Sequence, residues 1–547
     1  MLRAASSRWI VVALLALLIV GALALVVGRR TGGDRAAVEG VPADEDPLTQ
    51  ALDRSLRRAE AGSGRAGPAL AIRPLAMDAQ DPELSAFGET LCSQLAAGLA
   101  RLGALRITAC ESTRAALAAG LDDRRLASLL RVDHLVTGRA ERLPDGRVRI
   151  RLGLHDPASG RLHWELDAAQ PLAELAALPQ QVALRTRTSL GLAGQPPAEA
   201  AIPPAAYEAF LRAQQVSARG SPADQREALR LIGEVLALAP DYVPALAAQI
   251  ALRGTALRFP TAEERADPAA QLAAQQQLLR DSQAVGQAIL AADPQDPRGH
   301  VMLANLAVQQ RRWGEGFDHL NALLAQPARG AQQLRTAAHL HAMAGYLQQA
   351  LALALEAARL DPLNAVNHQA LAFFHALLGD SDAMRESARI AQELGDRMAV
   401  VYQGIGALRD GDWALAEAAT VEGLRGAGVE AGWVAAFVRG AADPAAREAA
   451  AAQIEALPAS LQHGMARFHW YLAWLGDTPR ALAAVQANLR GPIGVWLSNL
   501  WWPEFGHLRQ APGFDAVLDD TALPALWRQR GAPDRCAPRA DGGWACR

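Results

Sequence analysis

A regular spacing of glycines constrains the fold of this chain more than any other feature of its sequence. Gly345, Gly379 and Gly411 lie 34 and 32 residues apart. Mostly small residues recur at shared offsets from these glycines: Ala338, Ala372, Gly404, Ala350, Met384, Ala416, Ala357, Ala391 and Gly423. Small side chains let paired helices approach closely, and glycine suits the tight turn between them. This period therefore predicts stacked helix pairs that form a solenoid.

The pattern resembles the tetratricopeptide repeat. Gly476-Asp477 followed by Ala481 repeats one of the offsets, and Ala228 with Pro240 fits an earlier unit. We predict a solenoid over residues 206–490, which has room for about eight helix pairs of ~34 residues each. Hydrophobic residues make up 51% of the 547-residue chain and charged residues 20%, which excludes a mainly disordered protein. The predicted fold class is mostly α.

The concave face of a repeat solenoid is the usual surface for partner binding, and the first helix of each pair contributes to it. The candidate partner-binding residues are polar or aromatic side chains of these first helices: His341, Asn367, His368, His375, Tyr402 and Gln403. His368 and His375 lie two turns apart on one helix and could touch one ligand. Two histidines without a third ligand do not predict a metal site. The alternative is that most of the six occupy ordinary packing or surface positions.

Residues 67–195 change to a mixed pattern that predicts a small α/β domain. The predicted strands and helices, in chain order, are 69–75, 84–102, 105–109, 123–130, 134–142, 147–154, 161–166 and 172–190. In the strand at 147–154, apolar and arginine residues alternate, which is typical of a sheet with one buried face. We therefore expect a one-sided sheet packed on helices.

Three segments of this domain resemble the TolB-like domain: Arg73-Pro74-Leu75, residues 132–138 and residues 156–165. The resemblance implies an envelope-associated, non-catalytic interaction domain, and it transfers no catalytic residue. A Pro-rich linker at residues 196–205 is predicted to join the domain to the solenoid.

Two polar features of the α/β domain have more than one interpretation. Its strand arginines could form an anion-binding face or simply a solvated one: Arg139, Arg147, Arg149 and Arg151. His155 and His163 flank one turn and could in principle bind a metal ion. Because no matching constellation of cysteines or carboxylates accompanies them, no metal site is predicted.

The N-terminus contains a run of 20 residues without a charge, from Trp9 to Gly28. A helix of that length spans about 30 Å, the thickness of the apolar core of a bilayer. We predict a membrane anchor at residues 1–30, with residues 9–28 in the bilayer, and a linker at residues 31–66. The predicted protein is single-pass in the inner (plasma) membrane with the bulk of the chain in the periplasm. Arginines on both sides of the run leave a cytoplasmic body open as the alternative.

The four cysteines form two local pairs, Cys92 with Cys110 and Cys536 with Cys546. An even number of cysteines in close pairs favours disulfides in an oxidising compartment. The alternative is four unrelated buried thiols.

Residues 491–547 are predicted to form a C-terminal cap and a tail that carries the second cysteine pair. Aromatic side chains would cover the last helix pair: Trp496, Trp501, Trp502, Phe505 and Phe514. The elements at 502–505, 527–528 and 533–536 resemble tails of proteins that join a TolB-like domain to tetratricopeptide repeats, among them CadC-type regulators. Only eight residues precede the predicted span, so we expect neither a winged-helix nor a cyclase domain.

The basic residues narrow the possible functions. All 54 of them are arginine, and the absence of lysine excludes lysine-bearing phosphate loops, the ATP lysine of protein kinases and Schiff-base lysines. The formal net charge of −3 provides no overall basic field, so no nucleic-acid partner is predicted. We also predict no nucleotide, cofactor, metal or catalytic residue.

The function predicted from these features is a non-enzymatic, membrane-anchored scaffold or sensor arm. It would bind protein or peptide partners through the solenoid. The alternative is a signalling protein with a cytoplasmic body, derived from transcriptional regulators or cyclases that contain the same repeats.

Overall fold

The computed structural model describes residues 68–547 except 79–80, 104, 119, 193–201, 218, 220, 259–267, 327–328, 427–430, 458–467 and 491–496. The described residues are mostly helical, with a small α/β unit followed by a helical solenoid of tetratricopeptide type. The predicted membrane segment, the linker at 31–66 and most of the linker at 196–205 lie outside the described residues.

The α/β unit is built around a five-stranded sheet in the order β2-β1-β3-β4-β5. Strand β1 is parallel to β2 and β3, and β3, β4 and β5 are antiparallel. The elements are β1 (Ala69–Ile72), α1 (Pro82–Ala100), β2 (Arg106–Thr108), α2 (Cys110–Ala118), α3 (Asp123–Leu130), β3 (His134–Arg142), β4 (Val148–His155), β5 (Leu162–Gln170) and α4 (Leu178–Leu190). A 3-10 turn, Leu172–Ala177, precedes α4, where the sequence predicts one continuous helix.

The sheet is covered on both faces at the β1 end, which differs from the predicted one-sided sheet. Leu70 and Ile72 point into a core shared with α1 and α4. Ala69 and Ala71 point to the opposite face of the sheet, where they pack with α3 and with Leu363 of the solenoid. Only the β4–β5 part keeps the predicted pattern of one apolar face and one charged face.

The solenoid consists of consecutive helices that pack as antiparallel pairs. Its described helices are α5 (Pro204–Ser217), α6 (Pro222–Leu238), α7 (Val243–Arg258), α8 (Pro268–Ala292), α9 (Pro297–Gln309), α10 (Trp313–Ala325), α11 (Ala331–Met343), α12 (Leu347–Leu360), α13 (Ala365–Leu378), α14 (Ser381–Glu393), α15 (Val400–Asp410), α16 (Trp413–Gly426), α17 (Val434–Ala442), α18 (Arg447–Glu455), α19 (Phe468–Trp474) and α20 (Thr478–Arg490). Tyr207 and Phe210 of α5 share the core of the α/β unit, so the two parts are continuous.

The turns within the helix pairs explain the spacing of the glycines. Gly345, Gly379 and Gly411 have φ of 87°, 86° and 75°, in the left-handed region that other residues rarely adopt. Arg311 lies 34 residues before Gly345 and has φ of 59°. It occupies the same turn position, although a search for glycine misses it. A left-handed residue with a Cβ costs about 1–2 kcal/mol, so other contacts must stabilise this turn.

The helices of the described residues are predicted to follow a membrane-spanning segment, and none of them is itself suited to span a membrane. None of these helices combines enough length with enough apolar character to cross a bilayer. Helix α8 is 25 residues long, but it carries Arg280 and Asp281 near its middle. The finding contradicts the predicted localisation as a single-pass inner-membrane protein, and we correct that prediction. The predicted span itself, Trp9–Gly28, lies outside the described residues.

The last described part of the chain, residues 497–547, is called the C-terminal segment below. It contains two 3-10 turns, Leu497–Trp501 and Pro503–Phe505, followed by helices and a hairpin. These are α21 (Gly506–Arg509), α22 (Phe514–Thr521), α23 (Leu523–Arg530), β6 (Cys536–Pro538) and β7 (Trp544–Cys546). Trp501, Trp502 and Phe505 are fully buried and join the main core of the solenoid.

Candidate interaction surface and histidine cluster

The predicted partner-binding histidines of the solenoid lie inside it. His341 is buried, and its Nδ1 donates to the carbonyl of Ala337 at 2.8 Å. His368 is also buried, and its Nε2 donates to the carbonyl of Pro362 at 2.6 Å. Burial lowers the pKa of both, that of His368 to about 4, so each ring is neutral at pH 7.

Asn367 belongs to a buried polar network at the junction of two repeats. Its Oδ1 accepts from Arg335 at 2.5 Å, and its amide donates to the carbonyls of Ala357 and Asp361. Burial lowers the pKa of Arg335 to about 10. The sequence singled out Asn367 but neither Arg335 nor Asp361, because their proximity depends on how consecutive repeats stack.

The other three predicted residues are also used within the solenoid. Nδ1 of His375 lies 3.8 Å from Oδ2 of Asp380. Tyr402 is buried, and the amide of Gln403 donates to Oε1 of Gln392 at 2.6 Å. The structure therefore does not bring the six predicted residues together on an open surface, and their role in partner binding stays a prediction.

The network continues into the α/β unit through Ser112 of α2. The Ser112 hydroxyl donates to Oδ1 of Asp361 and accepts from the backbone N–H of Leu363 at 2.9 Å. Burial, reinforced by nearby Glu111, raises the pKa of Asp361 to about 6. The α/β unit is therefore anchored to the solenoid by buried polar contacts.

The C-terminal segment folds back along the turns within the helix pairs. Arg311 donates to the carbonyl oxygens of Asp520 and Leu489, and Trp313 Nε1 donates to the carbonyl of Thr521 at 2.7 Å. Contacts of this kind join the α9–α10 turn to the end of α20. Arg311 thus contacts the end of α20, nearly 180 residues away in sequence, as well as the C-terminal segment, whose contacts extend beyond the predicted cap on the last pair.

The next turn, at Gly345, is covered by the tail of the same segment. Trp527 Nε1 donates to the carbonyl of Ala344 at 2.9 Å. Oδ2 of Asp534 accepts from the backbone N–H groups of Leu347 and Gln348 at the start of α12. Because α12 has no cap from its own chain neighbour, Asp534 supplies the cap from far away in sequence.

Two further contacts extend this cover toward α15. Arg535 donates to the carbonyl of Leu377 at 2.7 Å, beside the turn at Gly379. The guanidinium of Arg409 donates from Nε to Glu504 Oε1 at 2.7 Å.

The turn after α15 is left exposed. We call residues 411–415 the open turn, because all five are exposed. Trp413 and Leu415 are 37% and 45% exposed, although both are large apolar residues. The residues at the equivalent place in two earlier turns, Trp313 and Leu347, are 3% and 1% exposed. The C-terminal segment accounts for this difference.

A second polar cluster lies in the α/β unit, at one end of β3, β4 and β5. Nδ1 of His134 and Nε2 of His163 each lie 2.7 Å from Oδ1 of Asp156. The two imidazole rings meet edge to face with centroids 5.1 Å apart. Burial opposes ionisation of Asp156, but the hydrogen bonds from His163 and His134 outweigh it and lower its pKa. The sequence identified His163 but paired it with His155.

His155 points to a different partner. Its Nε2 lies 3.9 Å from Oδ2 of Asp123, which also pairs with Arg73. On the charged face of the sheet, Arg149 and Arg151 both contact Asp167 at 3.2 Å. The carboxylate of Asp167 thus neutralises part of the arginine face that the sequence left open as an anion site.

Both cysteine pairs are disulfide-bonded in the structure. Cys92 of α1 is bonded to Cys110 at the start of α2, and Cys536 to Cys546 across the β6–β7 hairpin. The second bridge closes the tail that covers the turn at Gly345. Trp544 of this hairpin packs edge to face on Trp527, with centroids 4.9 Å apart.

Comparison with known proteins gives only distant similarity. No family model and no curated protein matches the chain. A solved structure, human IFIT1 dimer with PPP-AAAA, is similar with a TM-score of 0.31 and 12% identity over 66% of this chain and 79% of that chain. Human IFIT1 dimer with m7Gppp-AAAA has a TM-score of 0.29 and 13% identity over 90% and 92%.

These two structures contain oligonucleotides, which contradicts the prediction that nucleic acid is excluded as a partner. We correct that prediction and no longer exclude nucleic acid. The physical reason is that net charge is a sum over the whole chain, whereas phosphate recognition depends on local groups of cations. At these TM-scores the likeness carries no argument for what this chain itself binds.

Proposed function

We propose that this protein is a non-enzymatic interaction scaffold that binds a protein partner at the open turn, residues 411–415. The observation that carries the proposal is the exposure of Trp413, whose equivalents Trp313 and Leu347 are buried, next to the exposed Leu415. The solenoid is held closed by its own C-terminal segment along the earlier turns. The open turn continues the same row of turns and has no such cover from the described part of that segment.

The chemistry of the open turn indicates the kind of partner. An exposed tryptophan beside an exposed leucine supplies apolar area of the type that anchors protein interfaces. Asp410 and Asp412 flank this area and are exposed. Asp410 pairs with Arg385, whereas Asp412 accepts from the backbone N–H of Leu415 at 3.1 Å. Because Arg385 already pairs with Asp410, the surface suits a segment with an apolar anchor and a basic residue placed near Asp412.

The α/β unit enters the proposal as a second, rigidly attached interaction domain. Its α3 and β3 begin and end at the residues predicted from the sequence, 123–130 and 134–142. Ser112 and Asp361 join it to the solenoid, so a partner bound to the solenoid would be held at a defined position relative to this unit.

Site-specific photo-crosslinking tests the proposal. A photoreactive phenylalanine replaces Trp413 in one variant and Leu238, another large apolar residue, 53% exposed, in the control variant. In cells that naturally make the protein, we expect position 413 to yield a defined protein adduct that position 238 does not yield. Adding Leu415→Asp should reduce that adduct about tenfold or more, since it buries a charge in an apolar contact.

The proposal is wrong if position 413 yields no adduct, or the same adducts as position 238. It is also wrong if Leu415→Asp leaves the yield unchanged while circular dichroism shows a folded protein.

A further inference from the structure

We propose that His134, Asp156 and His163 form a binding site for one divalent transition-metal ion of the zinc class. This site goes beyond the scaffold function and does not depend on it. One ligand atom from each of the three residues lies within 4.8 Å of the others. Residues separated by 22 and 7 positions in sequence thus converge on one point.

The donor set selects the class of metal. Two imidazole nitrogens and one carboxylate oxygen suit zinc and neighbouring divalent transition metals, whereas magnesium and calcium prefer oxygen ligands only. Three protein ligands leave a further coordination position for water or another molecule.

The backbone holds the three ligands in place before any ion binds. His134 begins β3 and is in register with Leu70 of β1. Asp156 starts the β4–β5 turn, where its N–H donates to the carbonyl of Arg161 at 2.9 Å and its carbonyl accepts from Gly160 at 2.7 Å. His163 lies on β5 directly after this turn. Ligands on paired strands and a closed turn need little reorganisation to bind an ion.

The distances require only a small adjustment. Each imidazole nitrogen lies 2.7 Å from Oδ1 of Asp156. With bonds of about 2.0–2.1 Å, neighbouring ligand atoms of a tetrahedral zinc site lie about 3.3 Å apart. Widening each nitrogen–oxygen distance from 2.7 Å to about 3.3 Å would make room for the ion. The side chains of His134, Asp156 and His163 are 14%, 25% and 9% exposed, which leaves an entry path while limiting competition from water.

The alternative role for these residues is a hydrogen-bonded cluster that only fastens the β4–β5 turn. In that arrangement both imidazoles donate an N–H to Asp156, and no ion binds. Metal binding would replace these two hydrogen bonds by coordination bonds.

Zinc titration of the full chain separates the two roles. Isothermal calorimetry with zinc chloride should show one saturable site, and cobalt(II) at that site should give the intense visible absorption of low-coordinate cobalt. His163→Gln and Asp156→Asn should each weaken zinc binding more than about 100-fold, since loss of even an outer-shell partner costs 10–100-fold.

Two matched controls report on other histidines. His155→Gln removes the neighbouring ring that faces Asp123, and His319→Gln removes one ring of the His300–His319 pair, whose Nδ1 atoms lie 3.2 Å apart. Both variants should keep the wild-type affinity for zinc. The proposal is overturned if the wild-type chain shows no saturable site, or if His319→Gln abolishes binding while His163→Gln does not.

A measurement on the wild-type chain covers the case in which the variants do not fold. Zinc should protect His134 and His163, but not His155, from modification by diethyl pyrocarbonate, as mapped by mass spectrometry. Equal modification of the three histidines with and without zinc would overturn the proposal.

Discussion

At the scale of single residues, burial decides the charge of the polar groups inside the solenoid. His368 has one hydrogen bond, from Nε2 to Pro362, and its Nδ1 has no hydrogen-bond partner among the described residues. A second proton would place a charge in the interior, where burial outweighs the favourable influence of Pro362 and Glu386 and lowers the pKa to about 4. The predicted partner-binding residue His368 is thus a buried, neutral imidazole at pH 7.

The pH dependence of stability follows from that shift. Because the folded-state pKa of His368 lies below its ordinary value of about 6.5, the unfolded chain binds more protons between these pH values. The contribution of His368 is complete above pH 6.5 and is lost as pH falls. Between pH 7 and pH 5 the loss is about 2 kcal/mol.

His368→Gln tests this prediction, since glutamine can still donate to Pro362 but does not titrate. Urea denaturation gives the free energy of unfolding of both proteins at pH 7 and at pH 5. The wild-type value minus the variant value should be about 2 kcal/mol smaller at pH 5 than at pH 7. Taking a difference is necessary because Asp361 and Asp396, whose pKa values burial raises to about 6, act in the opposite direction. A pH-independent difference would contradict the prediction.

At the scale of the elements, helix α12 begins with a cap from outside the solenoid. Residue 346, directly before α12, is a tyrosine without a capping side-chain bond, and Asp534 accepts from the first two N–H groups of the helix. A carboxylate here also interacts favourably with the N-terminal end of the helix dipole.

We predict that Asp534→Ala lowers the free energy of unfolding by about 1–2 kcal/mol, the usual cost of losing a cap. Asp534→Asn is the matched control, because its Oδ1 still accepts a hydrogen bond and the loss should be at most half as large. Both values come from chemical denaturation at pH 7. Equal losses for the two variants would show that charge, rather than hydrogen bonding, dominates at this position.

At the scale of the whole molecule, the C-terminal segment determines which turns remain accessible. It contacts the α9–α10 turn at Arg311 and helix α15 at Arg409, and Arg311 itself donates to the end of α20. The Cys536–Cys546 disulfide constrains the hairpin at its end. The stability of the closed arrangement should therefore depend on this bond.

Replacing Cys536 and Cys546 with serine should lower the free energy of unfolding by up to about 3 kcal/mol, from the entropy of the released loop. Limited proteolysis should then cut the C-terminal segment before the solenoid helices. The matched control replaces Cys92 and Cys110 with serine, which should leave the segment resistant. If both double variants expose the segment equally, the tail disulfide has no specific role in closure.

The sequence by itself determined the helices, strands and turns that depend only on residues close together in the chain. A period of 34 and 32 residues predicted the helix pairs, because each turn needs a left-handed residue and each pair needs small side chains. Alternation predicted β4, and a capping Asp122 explains why α3 begins where the pattern predicts it. Cysteines close in sequence were sufficient to indicate both disulfide pairs.

Only the tertiary structure decided which residues lie together over long distances in sequence. The pairing of strands brings His134 to Asp156 and His163, and stacking of repeats surrounds Asn367 with Arg335 and Asp361. The return of the C-terminal segment buries Trp313 and Leu347 but leaves Trp413 exposed, although the local sequence at the three turns is similar in character. Local periodicity specifies helices and strands, whereas burial and electrostatic environment depend on contacts between segments that no local pattern encodes.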